Sequence, residues 1–505
     1  MAKMTFHCPN CHSTNLGGDG WKDGKKRFQC NDCDYKTVNP ITESKQLETK
    51  LDKSDIANYN RFVITSAQND TPVNKKILGA LEKYCEHNNA KLLVIPVHYQ
   101  NPDSFHVGIN EDTTWPSEVS PYLLDGDISI NKNLNIMGDV KITATAVNPL
   151  SGLDTISNTK SAIFGHAQQQ MRNVPTPQGK WPKVLHTTGS ISYKNYSRTK
   201  EGKKGEHYHT PGAVIIEADD EHFWYRQIQF KGNGFYDLDK FYTENEVVEG
   251  GVEALVLGDE HVRFMDNDTK DVIFFNKDSI CNTLKPKNIV SHDVYDHYSR
   301  SHHEDADYIS QLIRTNSGDD DVQKELSQVR DYLDDTTPEF SIRYIVSSNH
   351  HDHLRQWLNR YKPNSDLKNA AFYHRMMADV IDEIQEGGNR SPFQIYLDST
   401  CRNRLKFVGG KRGLTIKGIE CSEHGDVGPN GARGSPGSFA NSSHPMIVGH
   451  SHSPCIEKSL YRVGVSSPDL PYANRGLSSW SITHAVIYPD GSRSLITMIN
   501  GKWKL

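Results

Sequence analysis

Oxygen and imidazole side chains follow five apolar segments in the second half of the chain. The segments are "GVEALVLGDEH", "NIVSHDVYD", "FSIRYIVSSNHHD", "GLTIKGIECSEHGD" and "HPMIVGHSH". Mixed Asp, Asn and His side chains suit Mn²⁺, Fe²⁺ or Zn²⁺, and a pair of such ions can hydrolyse a phosphate ester. The side chains in question are Asp259, His261, Asp293, Asn349, His350, His424, His450 and His452.

Each apolar segment has the length and composition of a buried strand. In an α/β sheet the carboxyl ends of the strands share one crevice, and ligands bind there. A single His beside an Asp after a strand is more often an ordinary loop residue. Five such segments in one order instead predict a common metal site.

Four cysteines near the N-terminus form two C-x-x-C pairs. With 18 residues between the pairs, their thiolates can close around one structural Zn²⁺. The nearby cations and aromatic residues are typical of contact with phosphates and bases. The alternative is a zinc ribbon that only folds the N-terminus or docks onto protein. The residues are Cys8, Cys11, Cys30 and Cys33, with Lys25, Lys26 and Arg27 as predicted DNA contacts.

The composition limits the function classes. The chain has 505 residues and a formal net charge of −6, which excludes a uniformly basic nucleic-acid coat. No stretch approaches the 18 apolar residues of a membrane span, and the start "MAKMTFHCPN" has no signal-peptide core. The expectation is a cytoplasmic protein in a reducing compartment.

The sequence predicts an α/β protein of several parts. Residues 1–40 are a zinc ribbon, 41–60 a linker, 61–245 a Rossmann-like α/β domain of unassigned role, and 246–505 the domain of the metal site. "RFVIT", the helical "VNKKILGALEKYCEHNN" and "KLLVIPVHY" predict a strand, a helix and a parallel strand. "RTKEGKKGEHYH" (198–209) is predicted to be a solvated basic loop.

The motif order in residues 250–500 is D-x-H, a second Asp, Asn-His, a lone His and Gly-His-x-His. This order resembles the calcineurin-like metallophosphoesterases. The resemblance implies a four-layer fold, a two-layer β-sandwich flanked by helices, with two divalent metals. Mn²⁺ is the expected ion, and Fe²⁺ and Zn²⁺ are alternatives. Departures from the family pattern, such as His292 before Asp293 and Ser348 before Asn349, affect substrate orientation more than metal binding.

The resemblance also implies a role for each residue. His350 corresponds to the family's active-site histidine, which protonates the leaving oxygen or stabilises its charge. The implied ligands are Asp259, His261 and His452 for the first metal, Asn349, His424 and His450 for the second, and Asp293 as the bridge.

Basic residues and the zinc ribbon favour DNA as the substrate. "CRNRLKFVGGKRG" carries a run of cations, and the Gly-rich loop after His424 carries one more that can hold a phosphate. The residues are Arg402, Arg404, Lys411, Arg412 and Arg433. A phosphomonoesterase, a small-molecule phosphodiesterase and a non-catalytic DNA-binding scaffold stay open as alternatives.

The whole arrangement is also similar to the pre-early DNA-transfer proteins of T5-type bacteriophages. That resemblance implies degradation of host DNA, a role in phage DNA entry and a place in the infected host cytoplasm. A homo-oligomer and a phage or host protein partner are both compatible with it.

Overall fold

The chain forms two compact units, Met1–Lys50 and Leu51–Leu505. The computed structural model describes residues 5–11, 13–22, 25–38, 41–43, 56–99, 114–301, 307–467, 470 and 476–505. It contains several sheets and helices, which confirms the predicted mixed α/β class.

The smaller unit is built from short antiparallel strands. They are β1 (Thr5–His7), β2 (Leu16–Lys22), β3 (Lys25–Cys30), β4 (Lys36–Thr37) and β5 (Ile41–Glu43). β2, β3 and β4 form one sheet, and β1 pairs with β5. The predicted linker thus begins with a paired strand, and its residues 44–55 lie outside the described part of the chain.

The larger unit holds the remaining strands. Those before residue 250 are β6 (Arg61–Gln68), β7 (Lys91–Val97), β8 (Ile128–Ser129), β9 (Leu134–Met137), β10 (Ser161–Phe164), β11 (Met171–Val174), β12 (Lys183–Thr187), β13 (Gly212–Ala218), β14 (Phe223–Gln229), β15 (Gly234–Asp237), β16 (Lys240–Thr243) and β17 (Val247–Glu249). Those after it are β18 (Ala254–Val256), β19 (Asn288–Ser291), β20 (Ile342–Val346), β21 (Lys406–Val408), β22 (Thr415–Ile416), β23 (Ile419–Glu420), β24 (Met446–Val448), β25 (Cys455–Glu457), β26 (Leu460–Arg462), β27 (Thr483–Ile487) and β28 (Arg493–Thr497).

The α-helices of the described residues lie in the larger unit as well. They are α1 (Lys75–Asn88), α2 (Lys200–Tyr208), α3 (Asn267–Lys270), α4 (Ile280–Leu284), α5 (Tyr308–Ser317), α6 (Val322–Asp335), α7 (Asn349–Arg360), α8 (Ala370–Gln385), α9 (Pro392–Thr400) and α10 (Pro436–Ala440). Side-chain caps begin several of them. Ser348, for example, accepts a hydrogen bond from the backbone of His351 and so begins α7 at Asn349.

The strand–helix–strand prediction near residue 62 is confirmed. β6 and β7 are parallel, and α1 connects them. The Rossmann-like prediction is wrong beyond this unit, because β13 pairs antiparallel with both β6 and β14. The reason is a tight turn, in which the Asp219 carboxylate accepts hydrogen bonds from the backbones of Glu221 and His222 and closes a β13–β14 hairpin.

A six-stranded sheet, in the order β21-β20-β19-β18-β27-β28, supports most of the predicted site. Its four strands β18 to β21 are parallel, so their carboxyl ends meet at one edge. Leu255, Ile289 and Ile345 point from one face into a core shared with α6 to α9. Val256 and Val290 point from the other face into a core shared with a second, larger sheet.

The second sheet has ten strands, in the order β22-β23-β24-β26-β25-β11-β12-β10-β9-β8. It joins two distant parts of the sequence, because β11 pairs with β25 and places Met171 opposite Ile456. Residues 51–505 are one compact unit, and the predicted boundary at residue 245 does not coincide with a break in it.

Candidate metal centre

The predicted ligands converge where the two sheets end. Asp259, Asp293 and Asn349 follow the parallel strands β18, β19 and β20 of the six-stranded sheet. His424 follows β23, and His450 and His452 follow β24 of the ten-stranded sheet. Because the two sheets share a core, two chain segments distant in sequence deliver their side chains to one place.

Asp259, His261 and His452 form one buried cluster. The Nε2 atoms of the two histidines are 3.1 Å apart, and His452 Nε2 is 3.2 Å from Asp259 Oδ2. Metal–nitrogen bonds of about 2.0–2.1 Å place the ligand atoms of a tetrahedral site about 3.3 Å apart. The spacing of these three side chains therefore fits one divalent ion, and the set is the one predicted for the first metal.

The remaining ligands gather around Asp293. His424 Nε2 lies 3.1 Å from Asp293 Oδ2, and the rings of His424 and His450 are 5.2 Å apart. The structure also groups His424 with His292 and Asp259, and Asp293 with His261 and His350. Asp293 thus lies between the two sets of histidines, as a bridging carboxylate would. The assignment of Asn349 and His450 to the second ion stays a prediction.

Several oxygen atoms at this centre are buried without a hydrogen bond. Oδ1 of Asp259, Oδ1 of Asp293 and Oδ1 of Asn349 accept none from any described residue, and Asp259 Oδ2 has only the His452 ring nitrogen, 3.2 Å away. Buried polar atoms are normally satisfied, since leaving one unpaired costs about 1–3 kcal/mol. A bound cation would satisfy these oxygens, so the donor set fits divalent metals.

The backbone is strained at four of the predicted metal ligands. His261, Asp293, His450 and His452 have φ angles of 41°, 43°, 73° and 59°, in the left-handed region that favours glycine. Each such residue costs on the order of 1 kcal/mol or more, and such residues are concentrated at functional sites. The strain turns these side chains toward each other at the ends of their strands.

Carboxylates hold protons on two of the histidines. Burial alone would lower the pKa of His261, but the carboxylates of Asp296, Asp293 and Asp259, with Asp296 contributing most, together raise that pKa to about 9. Burial is likewise outweighed at His424, where Asp293 and Asp259 raise the pKa to about 9. In turn the pKa of Asp293 is held well below its usual range, mainly by His424, despite burial.

A second set of side chains fixes the orientation of the first. Asp296 Oδ1 lies 2.6 Å from His261 Nδ1, which directs Nε2 of this ring toward His452. Glu260 points away from the metal cluster and pairs with Arg343 at 2.5 Å, and both side chains are buried. The sequence predicted no role for Asp296.

A cavity of about 400 Å³ opens beside the metal cluster. Asp293 and His452 line it, as do His350, Arg433 and Trp480. His350 and Arg433 thus line one cavity, and their roles as proton donor and phosphate contact stay predictions.

The four cysteines also come together. Cys8 Sγ is 3.6 Å from Cys33 Sγ, and Cys11 Sγ is 3.6 Å from Cys30 Sγ. Zn–S bonds of about 2.3 Å place the sulfur atoms of a tetrahedral site about 3.8 Å apart. This arrangement is compatible with the predicted structural zinc.

The other predicted DNA contacts lie on the surface. Arg402 pairs with Asp334 and Asp335, and Arg412 donates to Gln394 and Asn389, so both guanidinium groups already have partners. Arg404 and Lys411 are exposed.

In the smaller unit Arg27 pairs with Asp19, and Lys26 lies over the ring of Phe28. The Lys25 side chain is outside the described part of the chain.

Among the described residues, no helix is long and apolar enough to cross a membrane. No family model matches the chain. A crystal structure of Vps29 from Chaetomium thermophilum covers 34% of this chain and 90% of its own length at 6% identity, with a TM-score of 0.19.

The chain is 32% identical over 475 residues to Protein A1 of Escherichia phage T5. The match covers 90% of this chain and 85% of the phage protein. This chain is therefore a bacteriophage-type α/β protein with a metal-compatible Asp/His cluster and a Cys₄ site. It belongs to the family of phage T5 Protein A1.

Proposed function

We propose that the protein is a two-metal phosphodiesterase of the calcineurin-like class that acts on DNA. One observation carries this proposal: the Asp/His cluster contains buried carboxylate oxygens without hydrogen bonds, and it lies against an open cavity. A purely structural polar cluster would satisfy its own carboxylates, whereas a metal centre leaves them for the ions.

The ligands divide into two sets around Asp293. Asp259, His261 and His452 would hold one ion, and Asn349, His424 and His450 the other. When bound, a metal pair neutralises phosphate charge and lowers the pKa of a water molecule. Asp296 keeps the His261 ring in the tautomer that leaves Nε2 available as a ligand.

His350 is the proposed proton donor. It lines the cavity, and its Nδ1 atom lies 3.8 Å from Asp296 Oδ1. A proton on this ring can pass to the leaving oxygen of a phosphodiester bound in the cavity.

Arg433 is the proposed phosphate contact. It comes from the Gly-rich loop, and its guanidinium group can hold two phosphate oxygens at once. The adjacent Gly434 lets the Gly-rich loop pack closely against Gly425, since a Cβ atom at position 434 would lie 1.8 Å from the carbonyl oxygen of Gly425.

DNA is the proposed substrate because the chain carries a Cys₄ unit with exposed cations and aromatic residues, including Lys26 and Trp21. On this proposal the protein degrades host DNA and takes part in DNA transfer in the infected cytoplasm. The phage relative supports the setting, although its name states no activity.

The test compares three substrates at one protein concentration. Plasmid DNA, a chromogenic phosphodiester and a chromogenic phosphomonoester are incubated with Mn²⁺-loaded protein and with the Asp293→Asn variant. The proposal expects hydrolysis of DNA and of the diester, lost in the variant. Turnover of the monoester or of the small diester without any of DNA would favour the small-molecule alternatives. DNA binding without hydrolysis of any substrate would favour a scaffold.

A further inference from the structure

One loop from the first half of the chain lies at the same edge of the ten-stranded sheet as His450 and His452. β11 and β12 form a hairpin in which Val174 pairs with Lys183, so residues 175–182 are its loop. β24 is parallel to β26, β26 antiparallel to β25, and β25 antiparallel to β11. β11 therefore runs in the same direction as β24, and the hairpin loop lies at the edge where β24 leads to His450 and His452.

The hairpin is bound to the segment that carries Trp480. Thr176 and Ser478 exchange two backbone hydrogen bonds, of 2.9 and 2.8 Å. Asn173 donates to the Ser479 carbonyl at 2.9 Å. Trp480 lines the cavity, and its ring centroid lies 4.3 Å from that of His452. The hairpin thus supports one wall of the cavity.

Trp181 is the exposed aromatic residue of this loop. Its exposed fraction is 51%, although tryptophan is usually mostly buried. Its carbonyl accepts a hydrogen bond from the Thr176 hydroxyl at 3.2 Å, which ties it to the residue that pairs with Ser478. The neighbouring Lys180 is exposed as well. An exposed aromatic ring and a cation therefore lie on the loop that supports this wall of the cavity.

We infer that Trp181 is a stacking platform for an unpaired base of the substrate strand, next to the phosphodiester that enters the cavity. This inference rests on the proposed function and adds a strand preference to it. A base stacks on an aromatic ring only when it has left its own stack, and every base offers such a face. Lys180 would contact the adjacent phosphate.

The preference for an unpaired base follows from the geometry of stacking. In a duplex each base already stacks on its neighbours, so a base must leave that stack before its face can meet the Trp181 ring. Single strands and frayed ends avoid that cost.

The test measures binding separately from hydrolysis. Fluorescence anisotropy with a labelled oligothymidylate and with a blunt duplex of equal length is recorded in Ca²⁺ buffer without Mn²⁺. The proteins are the wild type, Trp181→Ala, Trp181→Phe and the control Tyr308→Ala, whose aromatic ring is 70% exposed on α5. Wild-type hydrolysis of the chromogenic diester with Mn²⁺ is measured in parallel.

We expect Trp181→Ala to bind the single strand about 5- to 150-fold more weakly, the range for one lost base–aromatic stack. Trp181→Phe should recover most of that affinity, and Tyr308→Ala should match the wild type. Unchanged affinity in Trp181→Ala, no recovery in Trp181→Phe or an equal loss for the duplex would overturn the inference. Hydrolysis of the diester by a wild type that binds no oligonucleotide would also overturn it and leave the phosphodiesterase proposal intact. Oligonucleotide binding with the expected variant pattern but no hydrolysis of any diester would refute only the catalytic proposal.

Discussion

Metal binding should depend steeply on pH, because two of the proposed ligands carry protons in the metal-free protein. The pKa values of His261 and His424 are both about 9, raised by nearby carboxylates against the effect of burial. Each ring must lose its proton before its nitrogen can bind a metal. Below pH 9, metal binding should therefore release one proton from each of the two sites.

The magnitude follows from the two pKa values. Between pH 7 and pH 8 the apparent affinity of each metal should rise roughly tenfold, which is about 1.4 kcal/mol per ring. At pH 7 about two protons should leave per protein when both metals bind. His450 and His452 add little to this release, since burial lowers the pKa of each ring below its usual value.

The Asp296→Asn substitution should affect the pH dependence of the first metal site and leave that of the second unchanged. It removes the carboxylate that does most to raise the pKa of His261, while Asp293 and Asp259 still act on His424. The first metal should then lose most of its pH dependence, and its affinity at high pH should fall about 10–100-fold because the ring is less well oriented. The second metal should keep its tenfold change.

The assay is calorimetric titration of metal-free protein with Mn²⁺ at pH 7 and pH 8, in two buffers with different ionisation enthalpies that count the protons. Asp398→Asn, which removes a surface partner of Arg390, is the matched control. Equal affinities at the two pH values, or no proton release, would refute the proposed electrostatics. An identical pH dependence in Asp296→Asn would refute the role of Asp296.

Three further substitutions test the site and the Cys₄ unit. Asp293→Asn should weaken both metals together, as measured by metal content after dialysis, and a variant with two metals and the wild-type rate would show that the bridge lies elsewhere. His350→Ala should keep its metals and DNA affinity while kcat falls roughly 10²–10⁴-fold, and loss of a metal would instead make His350 a ligand. Cys30→Ser should release one zinc and unfold residues 8–33, and DNA cleavage should fall with a shallower salt dependence while diester hydrolysis persists. Equal loss of both activities would mean that the Cys₄ unit supports the fold.

Much of the candidate site could be predicted because its signals are local. An apolar run followed by a ligand-type side chain indicates a strand end, and parallel strands bring such ends to one edge. β18, β19 and β20 behave in this way. The signal for the Cys₄ unit is equally local, since two short C-x-x-C spacings suffice to bring the four sulfur atoms together.

The prediction from local sequence was wrong at residues 198–209. The predicted basic loop contains helix α2, Lys200–Tyr208, which Thr199 caps by accepting a hydrogen bond from the backbone of Gly202. Glycine lowers helix propensity. It is required here by packing, because a Cβ atom at position 202 would lie 2.1 Å from the Ser197 carbonyl oxygen. A tertiary contact therefore overrides the local preference.

Long-range pairing could not be predicted from the sequence. The contact between β11 and β25 joins strands from different halves of the chain, and neither strand carries a signal for the other. For the same reason the hairpin loop with Trp181 gave no indication that it binds the segment that carries Trp480. The boundary predicted at residue 245 was inferred from changes in the local sequence pattern, whereas the ten-stranded sheet contains strands from both sides of that position.

Metal-dependent cleavage of DNA tests the proposed two-metal phosphodiesterase most directly. Purified protein is freed of metal at the Asp/His cluster by chelation, and plasmid and linear DNA are then incubated with it in Mn²⁺, Mg²⁺ or Zn²⁺ and analysed on a gel. We expect no cleavage without metal and restored cleavage with Mn²⁺, because Asp293 and its neighbouring histidines form a mixed O/N ligand set. Undiminished cleavage by demonstrably metal-free protein, or no cleavage when both metal sites are filled, would contradict the proposed function.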